Sequence, residues 1–364
     1  MVNRLVFENL KHRPIRTLLS AIAIGVQVTL MLTLVGVSHG MLNDVAAHSR
    51  GSGADVLIRP PGSSILGFSG GAMPEGLVGV VRGLPHVSIA TGSYFASASR
   101  ALTSIAGINL SEFDEMSGGF KYLAGGPFKG PDDLIVDDVE ARNSNLHVGS
   151  VIDFGIKWHV TGIVESGKLS RMFADLKSLQ EKYSATDKVT VILVKVDDQA
   201  NVQTVIDEIR AKLGEDYPVW SVEQYTSLLS ANNVPMLKQF TGVVIGIGVV
   251  IGFLVVFLSM YTAVLERTRE IGILKALGAS PGYILSILMR ETVLLGVAGV
   301  IVGVLMTYGT RALINTFAPS FVTEIVYAWW PIAGSLALAA ALIGALYPGL
   351  KAARQDAIEA LSYD

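Results

Sequence analysis

Residues 240–282 read FTGVVIGIGVVIGFLVVFLSMYTAVLERTREIGILKALGASPG, and this stretch decides the architecture. Its first 26 residues, Phe240 to Leu265, carry no charged side chain. About 20 apolar residues are enough to cross a bilayer as a helix. Glu266-Arg267-Thr268-Arg269-Glu270 follows at once. A glycine-punctuated segment comes next, Ile271 to Gly282, and a second long apolar run opens at Thr292. A membrane helix that ends in charges and turns straight back presents a small structured hook on one face of the membrane. The rest of the chain is placed by asking which face.

Composition gives the class. Of 364 residues, 51% are hydrophobic and 16% charged, and the mean hydropathy is +0.50. Soluble domains carry roughly 25% charged residues, so this is an integral membrane protein. The net charge of −3 gives no basic footprint for nucleic acid, and no nucleic-acid partner is expected. The absence of cysteine excludes disulfides, cysteine–zinc sites and thiol catalysis.

Four spans are predicted. Residues 1–16 place Arg4, Lys11, Arg13 and Arg16 against one acid, Glu8, with Val2, Val6 and Leu10 on one helical face. They read either as an amphipathic segment lying on the cytoplasmic membrane surface or as a plain basic flank. Residues 17–41 form the first span. That run is longer than the 7–15-residue core of a signal peptide, although Val45-Ala46-Ala47 offers a cleavage motif and leaves a cleaved signal as the alternative. The basic flank puts the N-terminus in the cytoplasm.

Residues 42–239 then lie outside. Between Asn43 and Lys238 there are 17 Lys/Arg and 23 Asp/Glu, a net of −6 against +3 for the remainder. The second span is 240–265, a cytoplasmic segment 266–291, the third span 292–314, and an outer loop 315–328. The fourth span, 329–350, opens on the interfacial pair Trp329-Trp330, and residues 351–364 form a cytoplasmic tail. Arg311 alone breaks the charge pattern and can snorkel outward. Within the spans, Gly242 and Gly246, Gly248 and Gly252, and Gly299 and Gly303 make small-xxx-small pairs suited to close helix packing, and Gln27 is expected to bond across the bundle.

The fold class is therefore membrane α-helical, one span N-terminal and three C-terminal, with a large α+β extracytoplasmic domain. Strands are predicted at 55–59, 134–136, 151–154, 158–165, 189–196 and 219–222, and helices at 137–145 and 200–213, in two lobes. Residues 62–79 form a Gly/Ser-rich loop with apolar points at Ile65, Leu66, Phe68 and Met73. It is suited to lipid, a greasy substrate or a neighbouring subunit.

Catalytic signatures are missing. Gly162 to Leu169 is one residue short of a phosphate-binding loop, because Leu169 stands where a magnesium-holding hydroxyl is needed. Leu134 to Asp138 imitates its acidic strand in the wrong order; both read as a turn and a strand end. The six histidines show no zinc spacing, and there is no nucleophile elbow. The span cores hold no Asp, Glu, Lys or Arg, unlike coupled transporters. If the protein does work, energy is expected to enter from outside the chain, through the hook.

Glu266 to Gly282 resembles the coupling segment of the MacB/FtsX superfamily of ABC-transporter permeases. Asp133 to Glu165, with Leu134-Ile135-Val136-Asp137, Leu146 to Gly149 and Val160 to Val164, is similar to that family's periplasmic core domain. The resemblance implies a homodimer in the inner membrane of a bacterial cell, both termini cytoplasmic, served by two copies of a MacB-type ABC ATPase. MacB carries its ATPase on the same chain and this sequence has none, so a separate ATPase chain is expected. ATP and magnesium would sit there; this chain would be non-catalytic and hold no cofactor. A periplasmic adaptor protein and membrane lipid complete the implied partners. By the resemblance, Glu266, Arg267, Arg269, Glu270, Ile273, Leu274, Leu277 and Gly278 would couple to the ATPase. The pairs Glu266–Arg269 and Arg267–Glu270 are expected at helical spacing. Mechanotransmission would extrude a hydrophobic or amphipathic substrate. The alternatives are an FtsX-like signalling protein that activates a cell-wall hydrolase, and a lipoprotein-releasing permease.

Overall fold

The computed structural model describes residues 14–63, 71–97, 104–230, 233–318 and 321–355. The expected amphipathic segment before Pro14, the apolar points Ile65, Leu66 and Phe68, and the end of the tail lie outside them. The chain divides into a helical unit (residues 1–40, 235–317 and 321–364) and an α/β unit (residues 41–234 and 318–320).

Four helices are long and apolar enough to cross a membrane. They are the first (Pro14–Arg50), second (Pro235–Glu266), third (Pro281–Phe317) and fourth (Trp329–Arg354) membrane helices, and a short hook helix (Thr268–Ala276) joins the second to the third. The helical core draws Ile24, Val28 and Met31 from the first helix, Val256 and Met260 from the second, Ile284 and Leu288 from the third, and Ala337, Ala341 and Ala345 from the fourth. The fourth helix buries small residues every fourth position, which lets backbones approach closely: a β-carbon built at Gly344 would lie 2.7 Å from the Phe253 carbonyl oxygen. The third helix begins at Pro281, earlier than the apolar run at Thr292, because Ser280 and Pro281 are a good helix start.

The α/β unit is built on a ten-stranded sheet. Its strands are β1 (Val56–Ile58), β3 (Val87–Ser97), β4 (Ser104–Ile108), β5 (Tyr122–Gly125), β6 (Asp133–Asp137), β7 (Val151–Asp153), β8 (Lys157–Val164), β9 (Met172–Asp175), β11 (Val191–Val196) and β12 (Val219–Ser221). The order is β12-β1-β11-β3-β4-β9-β6-β8-β5, with β7 also on β8. β3 serves two neighbours in turn: up to Ser93 it pairs with β11, and from Tyr94 onward with β4. Two apolar cores follow from this handover. One gathers Val56, Ile58, Ile192, Val194, Val205 and Ile206; the other gathers Ile105, Leu134, Val136, Trp158, Met172 and Leu179. β7 and β8 form the antiparallel hairpin that the pattern at 151–165 predicts.

The expected strand 189–196 is divided. β10 (Lys188–Val189) pairs with β2 (Met73–Pro74) in a separate two-stranded sheet, and β11 starts after Thr190. Thr190 is the cause: its Oγ1 accepts from the Phe95 N–H at 2.9 Å while its own N–H donates to the Ser93 carbonyl at 2.9 Å. Met73, read as an exposed loop point, is a buried strand residue.

Candidate functional site: the turn between the second and third membrane helices

The second helix ends at Glu266, and Arg267 breaks it with φ −108° and ψ 13°. The hook helix then runs to Ala276, Gly278 follows with φ 93°, and the chain turns into the third helix at Pro281. A positive φ there suits glycine, which has no β-carbon to clash.

The short helix has two faces. Thr268, Ile271 and Gly272 are buried, and Ile271 joins the core with Ile284, Leu288, Ala352 and Ala353. Arg269, Glu270, Ala276 and Gly278 are exposed, together with Ile273 (46%) and Leu277 (81%). Arg269, Ile273 and Leu277 recur at helical spacing and share a face. Leu274 is half-buried between the two faces. Two large apolar side chains thus stand with a cation and an anion on the outer surface of the hook helix and its C-cap.

Arg267 belongs to neither face. It is 7% exposed, and its Nη1 lies 3.1 Å from Oε2 and 3.4 Å from Oε1 of Glu291, itself 1% exposed. The expected pair Arg267–Glu270 does not form, because Arg267 sits at the helix break, where the regular spacing to Glu270 is lost and a buried carboxylate is within reach. Nor does Glu266–Arg269: Arg269 makes no ion pair among the described residues. Lys275 turns away from the outer face and donates to the main-chain carbonyl of Gln355. Glu291 went unrecognised in the sequence. The signal was one acid at the mouth of an apolar run, 24 residues after one base at the end of another.

Of the expected packing glycines, Gly299 and Gly303 meet the first helix. Their β-carbons would lie 2.6 Å from Ile24 Cβ and 2.7 Å from the Gly25 carbonyl oxygen, and Thr29 Oγ1 donates to the Gly303 carbonyl at 3.0 Å. Among the described residues Gly242 and Gly246 meet nothing within 4 Å, so this pair packs no described helix of the same chain. Gln27 packs on Gly252, but neither its nitrogen nor its oxygen has a hydrogen-bond partner, so it fills space and does not bond across the bundle.

The phosphate-loop imitation is taken up locally. Lys168 Nζ donates to the Ser117 carbonyl at 2.7 Å and to the Gly119 carbonyl, at the C-terminal end of the helix Leu110–Ser117. A cation is favoured at that end. Asp137, from the imitated acidic strand, accepts the Glu140 N–H at 2.6 Å and caps the helix Asp138–Asn143.

Comparison with known proteins agrees with this architecture. The MacB-like periplasmic core domain matches residues 17–212, more than half of the chain, and the FtsX-like permease C-terminal model matches residues 242–357. The chain belongs to the family of ABC permeases that combine these two parts. It is similar to the ABC transporter permease YknZ of Bacillus subtilis, 30% identical over 221 residues, 58% of this chain and 53% of that protein. It is also similar to the macrolide export ATP-binding/permease protein MacB of Escherichia coli, 23% identical over 395 residues, 99% of this chain and 60% of that protein. The chain therefore spans a little over half the length of these relatives. The solved periplasmic region of MacB from Actinobacillus actinomycetemcomitans covers 50% of this chain at 12% identity, with a TM-score of 0.39.

Proposed function

We propose that this chain is the permease subunit of a MacB-like ABC exporter and that the outer face of the hook helix is where a separate ATPase docks. The observation that carries the reading is the exposure of Ile273 and Leu277, preceded by the exposed Arg269 and Glu270, on a helix whose opposite side buries Thr268, Ile271 and Gly272. A lipid-facing helix end has no use for an isolated ion-flanked apolar pair beyond the charged segment; a groove in a soluble partner does. The basic residues beside the spans support a cytoplasmic position for this turn, on the side where ATP is found. Two chains would associate, each with one ATPase. ATP-driven closure of the ATPases would pull on the hooks and move the extracytoplasmic domains. The relative named for macrolide export supports a hydrophobic or amphipathic cargo, taken from the outer leaflet or the periplasm, with room for an adaptor protein.

The test is capture of the detergent-solubilised protein from its native host with mass spectrometry of what accompanies it. An ABC ATPase is the expected companion. A cell-wall hydrolase beside the ATPase would replace export with signalling, and no ATPase at all would end the docking reading.

A further inference from the structure

The hook helix is fastened at both ends, by contacts of different chemistry to different helices. At its start, the Arg267 guanidinium meets the Glu291 carboxylate of the third membrane helix at 3.1 Å. At its end, Lys275 donates to the carbonyl of Gln355, the residue that closes the fourth membrane helix. Between the two fastenings Ile271 packs on apolar residues of both helices.

A buried ion pair is a poor stabiliser. Desolvating both charges offsets their attraction, and apolar residues of similar volume hold helices together as well or better. What the pair does supply is a single geometry. Guanidinium and carboxylate bond directionally, and a slip of the hook strains that bond in a water-poor place. The Gln355 carbonyl is one of the acceptors that a helix C-terminus leaves without an internal partner, and a lysine suits it in charge as well as in hydrogen bonding. Both contacts resist sliding, so a displaced hook takes its attached helices with it.

We infer that the hook helix is a lever clamped at two points, Arg267–Glu291 linking it to the third membrane helix and Lys275–Gln355 to the fourth. Glu291 and Lys275 are then positioning residues: they touch no ATPase but set the angle at which Ile273 and Leu277 are offered. The purpose of the lever rests on the docking reading above; the clamp itself is a property of this chain alone.

The chain has no cysteine, so spin labels go only where cysteines are introduced. Labels at the exposed positions Ala276→Cys and Val293→Cys report the seating of the hook on the third helix, in the full chain in nanodiscs. The expected result is one narrow distance distribution, broadened at least twofold by Glu291→Gln and by Lys275→Met. The charge-exchanged pair Arg267→Glu with Glu291→Arg should restore the narrow distribution, and so should Lys275→Arg in place of Lys275→Met. Unchanged widths in both single variants overturn the clamp. Broadening that neither the exchanged pair nor Lys275→Arg repairs also overturns it, since any damaging substitution would then serve. Capture of the ATPase is scored on the same preparations. Normal widths in all variants with the ATPase captured sink the clamp alone; no ATPase on a correctly clamped wild type sinks the docking reading alone.

Discussion

Gln27 occupies the notch that Gly252 leaves in the second membrane helix: a β-carbon at Gly252 would lie 1.7 Å from Gln27 Oε1 and 2.4 Å from its Cδ. The first and second helices run antiparallel here. Met31 meets Gly248 on one side of the notch, and Ser20 and Ser259 share a hydrogen bond at 2.6 Å on the other.

Gly252→Ala should therefore overpack this seam and destabilise the helical unit by about 1–3 kcal/mol. Gly246→Ala meets open space and should be neutral or gain up to about 1 kcal/mol from helix propensity. Thermal unfolding of the two variants in the same detergent compares them directly. Equal behaviour would show that the notch is not used.

The amide of Gln27 is buried with no partner, and such a group costs about 1–3 kcal/mol. Gln27→Met keeps the length of the side chain and removes the polar atoms. It should leave stability unchanged or raise it by about 1 kcal/mol in the same unfolding assay. A clear loss would mean that the amide finds a bond in the assembled protein.

The proposed docking face can be altered without touching the core. Ile273→Asp with Leu277→Asp alters exposed side chains only and should abolish ATPase capture while leaving the gel-filtration profile unchanged. Ile271→Asp, on the buried face, should instead reduce the yield of folded protein. An ATPase still bound to the first double variant would place docking elsewhere.

Asp137 should make the α/β unit sensitive to pH. Burial pushes its carboxyl up from 3.8 to about 6, against the pull of the Glu140 N–H, of Arg171, whose Nη1 is 3.8 Å away, and of His48. A raised carboxyl pKa means that the folded state holds the proton more tightly than the unfolded chain. This contribution to stability is thus complete below about pH 4 and is lost as the pH rises through about 6. Asp137→Asn keeps the helix cap and removes the titration. Hydrogen exchange at residues 133–143 should slow between pH 7 and 5, after correction for the intrinsic rate, in the wild type and not in the variant, by an amount on the order of 1–3 kcal/mol.

Lys168→Met tests the phosphate-loop imitation. Removing the cation leaves the Ser117 and Gly119 carbonyls without their donor, and the helix Leu110–Ser117 should lose about 1–2 kcal/mol of local protection. Any nucleotide binding by the full chain should be the same before and after the substitution, read by equilibrium dialysis.

The membrane helices were legible because a span is a local property: twenty or more apolar residues in a row have few other places to go. The hairpin at 151–165 and the helix Val202–Leu213 were legible for the same reason, since their periodicities are written in neighbouring residues. The division at Thr190 was not, because it depends on a hydrogen bond to Phe95, far away in the chain.

At the hook the line between the two is sharp. The sequence alone determined that a charged, glycine-ended segment joins two spans and that it carries the apolar residues Ile271, Ile273, Leu274 and Leu277. Only the tertiary structure decided that Ile273 and Leu277 are on the open face, that Ile271 is core, and that Arg267 serves Glu291 and not Glu270. In the bundle it likewise set Gly299 and Gly303, and Gly248 and Gly252, against the first helix, and left Gly242 and Gly246 uncovered among the described residues. The physical reason is common to all of these. Helical spacing fixes which side chains stand together, while burial depends on the neighbour that arrives, and that neighbour comes from a distant part of the chain.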